Sequence, residues 1–188
     1  MKFDPNAYGS EVAALLALDG NGERLMPVAQ GRCSSPEALT KMKTASAGRL
    51  FPNSRAPEAA LSGLYLYFSC IDPAHEIAQS VDSAEGSYWH GIVHRQEPDA
   101  SNARYWFRRV GEHPVFPELA RAAAAIAERF PAVGFSPGTR WDASKFVDIC
   151  ERARQKPGSP IEQMALEVQR AEWQLLFNHC ACVGSVAI

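Results

Sequence analysis

Residues 88–109 read YWHGIVHRQEPDASNARYWFRR, and this stretch decides the predicted fold. Apolar residues recur at three- and four-residue spacing on both sides of an acidic turn, which predicts two helices at 84–96 and 101–110. Either Asp99 or Ser101 can accept backbone N–H bonds as the N-cap of the second helix. The sequence therefore predicts a helical hairpin that carries a dense set of polar side chains.

The same helical period runs through most of the remaining chain. It predicts further helices at about 6–19, 36–47, 57–68, 72–82, 117–130, from 142 onward, and at 160–181. Gly63 inside one of them indicates a close helix crossing, and Ser159-Pro160-Ile161-Glu162 combines a capping box with proline at the first helical position. We predict a single all-α domain over 1–188, an irregular orthogonal or solenoid-like array of about eight helices.

Composition limits the classes of function. With 188 residues, of which 46% are hydrophobic, the chain can bury one full core without cross-links. A formal net charge of −2 gives no long-range field for nucleic acid or an anionic membrane. The sequence shows no signal peptide and no run of eighteen or more apolar residues, so we expect a soluble cytoplasmic protein with neither nucleic-acid nor membrane partners.

Cysteine usage fits the same expectation. The chain has five cysteines, an odd number, and none of them shows the C-x-x-C spacing of a zinc ribbon or a redox motif. We therefore expect reduced thiols that are mostly buried.

His90 and His94 are the strongest candidates for metal ligands. They lie one helical turn apart at the edge of an apolar arc, the spacing by which a helix presents two imidazoles to one metal. The motif differs from the zinc peptidase H-E-x-x-H, because Gly91 stands where the catalytic glutamate would be. The alternative is a pair of ordinary interface histidines that hydrogen-bond to neighbouring helices and to Asp99 or Asn102. A third metal ligand would come from Glu97, Asp99, His75 or His113.

The charged side chains of the hairpin have two interpretations. Arg95 and Arg109 can pair with nearby acids or can form a clamp for a carboxylate or phosphate, and we favour the ion pairs. Glu97 lies close to the positive end of the second helix. Together with His94 it can also exchange protons with a bound substrate.

The last predicted helix contains two polar residues on its inward arc, Glu172 and His179. A buried carboxylate or imidazole without a partner would cost several kcal/mol, so each residue needs a neighbour. An arginine of the hairpin can satisfy Glu172, which is the interpretation we favour. In the alternative, both residues line the same polar cavity as His90 and His94.

One motif of the hairpin resembles a signature of a family of uncharacterised bacterial and fungal proteins. It covers about 30 of the 188 residues, and its matching positions are Trp89, His94, Arg95, Glu97, Asp99, Asn102, Ala103, Tyr105, Trp106, Phe107, Arg108 and Arg109. The resemblance implies no activity. More loosely, the hairpin is similar to a single tetratricopeptide or Sel1-like unit, which implies a helical-hairpin fold and protein or peptide binding. Stacked repeats of that kind need about three units to bury their faces.

Two hypotheses for the function follow. In the first, a polar pocket at the hairpin binds a small anionic or sugar-like ligand, with or without a divalent metal, and acts on it by acid-base chemistry. Its catalytic residues are Glu97 and His94, its metal ligands are His90 and His94, and its ligand-binding residues are His90, Arg95, Asp99, Asn102, Arg109, Glu172 and His179. In the second, the chain is a tetratricopeptide-like interaction module with a structural polar network. The sequence does not decide whether the protein is an enzyme. Nucleophilic serine or cysteine catalysis has no support, because no nucleophile elbow occurs, and glycine-rich phosphate loops are absent too.

Overall fold

The computed structural model describes residues 3–183, and within this range it contains ten α-helices, three short 3₁₀ turns and no β-strand. The helices are α1 Ser10–Leu16, α2 Pro36–Lys43, α3 Ala47–Leu50, α4 Pro57–Tyr67, α5 Ile71–Ser80, α6 Ala84–Gln96, α7 Ala100–Val110, α8 Phe116–Glu128, α9 Ala143–Arg154 and α10 Pro160–Ala181. The all-α prediction is confirmed, although the array has more helices than the eight or so expected.

Two predicted helices are interrupted in the structure. Gly9, at a φ of 91°, separates a 3₁₀ turn at Pro5–Tyr8 from α1, so the helix predicted at 6–19 is shorter and starts later. The helix predicted at 36–47 ends at Lys43, and α3 begins anew with the Ser46 side chain as its N-cap. The second difference lies in a segment whose periodic pattern is weak.

Helix α10 has the predicted bounds, but neither hydrogen bond of the predicted capping box forms among the described residues. Glu162 Oε2 accepts the backbone N–H of Gly158 at 2.5 Å. The Ser159 side chain makes no capping bond and instead donates to the carbonyl of Lys156 at 2.5 Å. Proline at the first turn and the reach of Glu162 therefore define the start of this helix.

Helices α6 and α7 form the predicted antiparallel hairpin, which is packed at unusually close range. A Cβ atom built on Gly91 would lie 2.7 Å from Phe107 Cε1 on the facing helix. At the crossing of α4 and α6, a Cβ on Gly63 would lie 2.5 Å from Trp89 Cζ2, so the close crossing predicted at Gly63 is confirmed. These two glycines let aromatic rings pack directly on helix backbone.

One continuous hydrophobic cluster joins the helices, and α10 contributes several of its most buried residues, including Trp173, Leu176 and Phe177. Helix α10 packs against α4, α8 and α9, while α5 packs on both α4 and α6. Among the residues that the structure describes, no helix combines the length and apolarity needed to cross a lipid bilayer. The packing of α5 on α6 is what positions the candidate site.

The expectation of reduced thiols is wrong for two of the five cysteines. Cys33 and Cys70 form a disulfide, which ties the loop before α2 to the start of α5. Cys150 and Cys180 are free and buried, and Cys182 is free and half-buried. The pair was missed because its members lie 37 positions apart, whereas a spacing motif detects only cysteines that are close in sequence.

Candidate functional site

Three histidines converge where α5 packs on α6. His90 and His94 project from consecutive turns of α6, and α5 brings His75 against them. One ligand atom from each ring lies within 4.8 Å of the other two, and the Nε2 atoms of His75 and His90 are 2.7 Å apart. We call these residues the three-histidine group.

Stacked rings hold this group in place. The His90 ring stacks on His94 on one side, with centroids 4.7 Å apart, and on Trp106 on the other, at 3.9 Å. Beyond Trp106 lies the guanidinium of Arg109, 5.3 Å from the indole centroid. His90 and His94 are buried, while His75 and Trp106 are half-buried, so the group lies just beneath the surface.

Burial keeps the two α6 imidazoles neutral. Burial, together with the neighbouring His94 and His75 rings, lowers the pKa of His90 to about 4. The pKa of His94 is also lowered by burial, with the Glu97 carboxylate acting in the opposite direction. Near pH 7 both rings therefore hold a lone pair, which is the form that binds metal ions.

Two polar side chains contact His94. Glu97 Oε2 lies 3.0 Å from its Nδ1, and the Asn102 amide nitrogen lies 3.1 Å from its Nε2 and 3.4 Å from its Nδ1. Asp99 takes a different part: it is the N-cap of α7 and accepts the backbone N–H of Asn102 at 3.1 Å. Proline at 98 therefore does not carry Glu97 away from the histidine row.

Arg95 and Glu172 do not join the three-histidine group. Arg95 Nη2 lies 2.5 Å from Glu172 Oε2, and both side chains are completely buried. The Tyr88 hydroxyl donates to the other carboxylate oxygen at 3.1 Å, and the guanidinium packs over the Phe146 ring at 4.7 Å. Of the two interpretations of Glu172, the structure shows the ion pair with a hairpin arginine.

A second histidine group forms between α6, the segment that joins α7 to α8, and α10. His179 Nε2 lies 3.1 Å from Glu85 Oε1, and the His113 ring meets the His179 ring edge-on with centroids 4.8 Å apart. His113 Nδ1 accepts the backbone N–H of Val115 at 3.3 Å. We call Glu85, His113 and His179 the Glu85 group; one ligand atom from each again lies within 4.8 Å of the others.

The pKa values of Glu85 and His113 are both lowered, for different physical reasons. The hydrogen bond from His179 is the largest of the influences that hold the pKa of Glu85 at about 2, so this residue is a carboxylate. Burial lowers the pKa of His113 to about 4, and the neighbouring His179 ring acts in the same direction. At neutral pH the group therefore contains an ionised Glu85 carboxylate and a neutral His113 imidazole.

The predicted site residues are therefore divided among separate groups. His90, His94, Glu97 and Asn102 come together, with Asp99 at the adjoining cap. Arg109 lies 3.7 Å from the exposed Asp82 and reaches the group only through Trp106. The other three are elsewhere: Arg95 and Glu172 pair with each other in the core, and His179 pairs with Glu85. A ligand-binding role for each of these residues stays a prediction.

Sequence reasoning missed two contributors. Trp106 is not among the predicted site residues, although its ring stacks on His90. Glu85 was not considered, and its position in the first turn of α6 gives no sign that it faces the end of α10. His75 was one of four candidates for a third ligand, and only packing between helices distinguishes it from the others.

No family model matches the chain, and neither the curated proteins nor the solved structures contain a significant match. The resemblance of the hairpin motif to a bacterial and fungal family is therefore still a prediction.

Proposed function

We propose that this protein binds one divalent transition-metal ion through His75, His90 and His94, and presents it to a small ligand. The observation that carries the proposal is the convergence of three imidazoles from two helices, with one ligand atom of each within 4.8 Å of the others. Imidazole suits zinc, copper, iron and nickel better than magnesium or calcium, which prefer oxygen. The set of donors therefore favours a zinc-like ion.

The number of ligands favours a site that is open to a further molecule. Structural zinc sites usually have four protein ligands, whereas catalytic sites have three and keep a position for water or substrate. Such an ion acts as a Lewis acid and lowers the pKa of a bound water. The half-buried position of His75 supports access from solvent on this side of the group.

The charge of the group favours an anionic small molecule. The two buried α6 imidazoles are neutral near pH 7, and the only carboxylate that contacts a ring of the group within the described residues is Glu97. One carboxylate leaves a divalent ion with excess positive charge, which a carboxylate- or phosphate-bearing ligand would balance. In this arrangement His94 would hold the ion and would not be a free acid or base.

We assign the ion to the three-histidine group rather than to the Glu85 group because of how ring protons are placed. His113 Nδ1 accepts a backbone N–H, so its proton lies on Nε2 and neither nitrogen has a free lone pair. His179 Nε2 faces the Glu85 carboxylate and carries a proton there. A metal ion on His113 Nε2 would move that proton to Nδ1, where it would face the N–H of Val115.

The test is the metal content of untagged protein and of matched histidine variants that are shown by circular dichroism to be folded. We expect one ion per chain, measured by mass spectrometry after incubation with Zn²⁺, and its loss in His75→Ala, His90→Ala and His94→Ala. The control is His179→Gln, which should keep the ion. A wild-type protein that binds neither Zn²⁺ nor Co²⁺, or a control that loses the ion equally, would overturn the proposal.

The cytoplasmic location predicted from the sequence stays a prediction. The Cys33–Cys70 disulfide is an observation against it. Disulfides persist mainly in oxidising compartments. The test is to alkylate freshly lysed cells and to measure the mass of the protein before and after reduction. Alkylated thiols at Cys33 and Cys70 would support a cytoplasmic location, and an intact disulfide would contradict it.

A further inference from the structure

Glu97 follows the last residue of α6 but still lies on the helical path. Its backbone N–H donates to the carbonyl of Val93 at 3.0 Å, which continues the helix pattern by one residue. A residue three positions after His94 therefore projects to the same side, and Glu97 Oε2 reaches His94 Nδ1 at 3.0 Å. The carboxylate is held by the helix that carries two of the three imidazoles.

The contact determines which nitrogen of His94 carries the proton. A carboxylate accepts hydrogen bonds and cannot donate, so the Nδ1 atom that faces it must be protonated. In a neutral imidazole this leaves the lone pair on Nε2. Glu97 is 25% exposed and His94 only 8%, so water competes weakly for this hydrogen bond.

The other acid near His94 does not have this role. Asp99 influences the His94 charge from a distance, but its Oδ1 accepts the N–H of Asn102 as the cap of α7. The Asn102 amide nitrogen is a donor, so it can satisfy the Nε2 lone pair in the metal-free chain but cannot accept the proton of Nδ1. Glu97 is therefore the acceptor that selects the tautomer.

We infer that Glu97 is a positioning residue, which fixes the His94 proton on Nδ1 and thereby leaves Nε2 free to bind the metal ion. This inference rests on the proposed function for its metal-binding part and replaces the catalytic role expected for Glu97. Carboxylates that orient a metal-bound histidine typically change metal affinity 10- to 100-fold when removed.

The experiment has two measurements on wild type, Glu97→Ala and Glu97→Gln. The first uses the ring ¹⁵N chemical shifts of His94 in metal-free protein, which report the tautomer. We expect Nδ1–H in wild type and in Glu97→Gln, whose amide oxygen still accepts, and a mixture of tautomers in Glu97→Ala. An Nε2–H tautomer in wild type, or no change in Glu97→Ala, would overturn the inference.

The second measurement is titration with Co²⁺, followed by its visible absorption. We expect a Kd about 10- to 100-fold higher in Glu97→Ala, with most of the affinity restored in Glu97→Gln. The control Glu76→Ala removes an exposed carboxylate next to His75 in sequence and should bind Co²⁺ as wild type does. Equal affinity in wild type and Glu97→Ala would contradict the inference while leaving the metal site intact.

Failure of the proposed function has a different signature. If wild-type protein binds no Co²⁺, the metal site is wrong, yet the nitrogen shifts of the metal-free protein still decide whether Glu97 selects the His94 tautomer. Unaltered circular dichroism in all three variants separates both results from a loss of fold.

Discussion

The guanidinium of Arg95 and the carboxylate of Glu172 meet at 2.5 Å in the core, and neither side chain has any exposure to solvent. The pair joins the hairpin to the central helix α10. Two charges buried this deeply are stable only together, because each alone would be left without solvation or an opposite charge.

We therefore predict that Glu172→Ala lowers the free energy of unfolding by about 3–5 kcal/mol, since it leaves the Arg95 charge buried and unpaired. Urea denaturation followed by circular dichroism measures the change. The control is the double variant Arg95→Met with Glu172→Leu, which should recover most of the loss because it removes both charges. A double variant no more stable than Glu172→Ala would show that the pair acts mainly through packing.

Gly91 should tolerate no side chain, because a Cβ at this position would lie 2.7 Å from the Phe107 ring. We expect Gly91→Ala to lower the free energy of unfolding by about 1–3 kcal/mol, even though alanine favours helix. Gly48 in α3 is the matched control, since a Cβ there meets nothing within 4 Å. Thermal melts of both variants measure the effect, and Gly48→Ala should be neutral or stabilising. An equally stable Gly91→Ala protein would mean that α6 and α7 pack less closely than the structure shows.

The metal-free protein should lose stability as the pH falls from about 6.5 to about 4. The pKa values of His90 and His113 are both lowered from 6.5 to about 4 in the folded chain, so in this window the unfolded state binds more protons. Stability is then highest above pH 6.5 and decreases as the solution is acidified. Urea midpoints measured in EDTA at pH 7.5, 6 and 5 test this, and His113→Gln should show a shallower dependence. Midpoints that are constant over this range would contradict the lowered values.

Glu85 should add a separate loss of stability at lower pH. Its pKa in the folded chain is about 2, below the ordinary value of 4.5, so the stability it contributes is present above 4.5 and is lost as the pH falls towards 2. Glu85→Gln should remove this part of the acid transition, measured by circular dichroism between pH 5 and 2. A transition that coincides with that of wild type would show that the His179 contact contributes little.

Asn102 should act on metal affinity in the direction opposite to Glu97. In the metal-free chain its amide can donate to His94 Nε2, at 3.1 Å, so an incoming ion must displace it. Removing a hydrogen bond worth about 1 kcal/mol should tighten Co²⁺ binding by up to about fivefold in Asn102→Ala. The Co²⁺ titration followed by visible absorption, as for the Glu97 variants, measures the change in Kd. Weaker binding in Asn102→Ala would instead indicate that the amide supports the bound ion.

The fold could be predicted in large part because local signals suffice for it. The bounds of α6 follow from the apolar period, and those of α10 from the same period and the proline at the first helical position, signals that depend only on neighbouring residues. In the segment predicted as a helix at 6–19, one glycine at positive φ, Gly9, moves the start of the helix. The disulfide between Cys33 and Cys70 depends on long-range packing, and no local pattern indicates it.

Only the part of the candidate site that lies on α6 could be predicted from the sequence. The spacing of His90 and His94 places both on one face of α6, and the sequence alone therefore yields two ligands. The third ring belongs to α5, and its choice among four candidates depends on how α5 crosses α6. An arginine partner for Glu172 could be expected, because a buried carboxylate needs an opposite charge. The pairing of His179 with Glu85 could not be expected, because it joins the end of α10 to the start of α6, two helices that are far apart in sequence.

The stacking of Trp106 on His90 gives the chain an optical reporter of its own. The other three tryptophans, Trp89, Trp141 and Trp173, are almost completely buried, whereas Trp106 is half-buried and its indole lies 3.9 Å from an imidazole of the three-histidine group. A paramagnetic ion such as Cu²⁺ bound to that imidazole would quench this indole most strongly. The emission of the unlabelled protein can therefore report occupancy of the group, and a Trp106→Phe variant supplies the background of the remaining three.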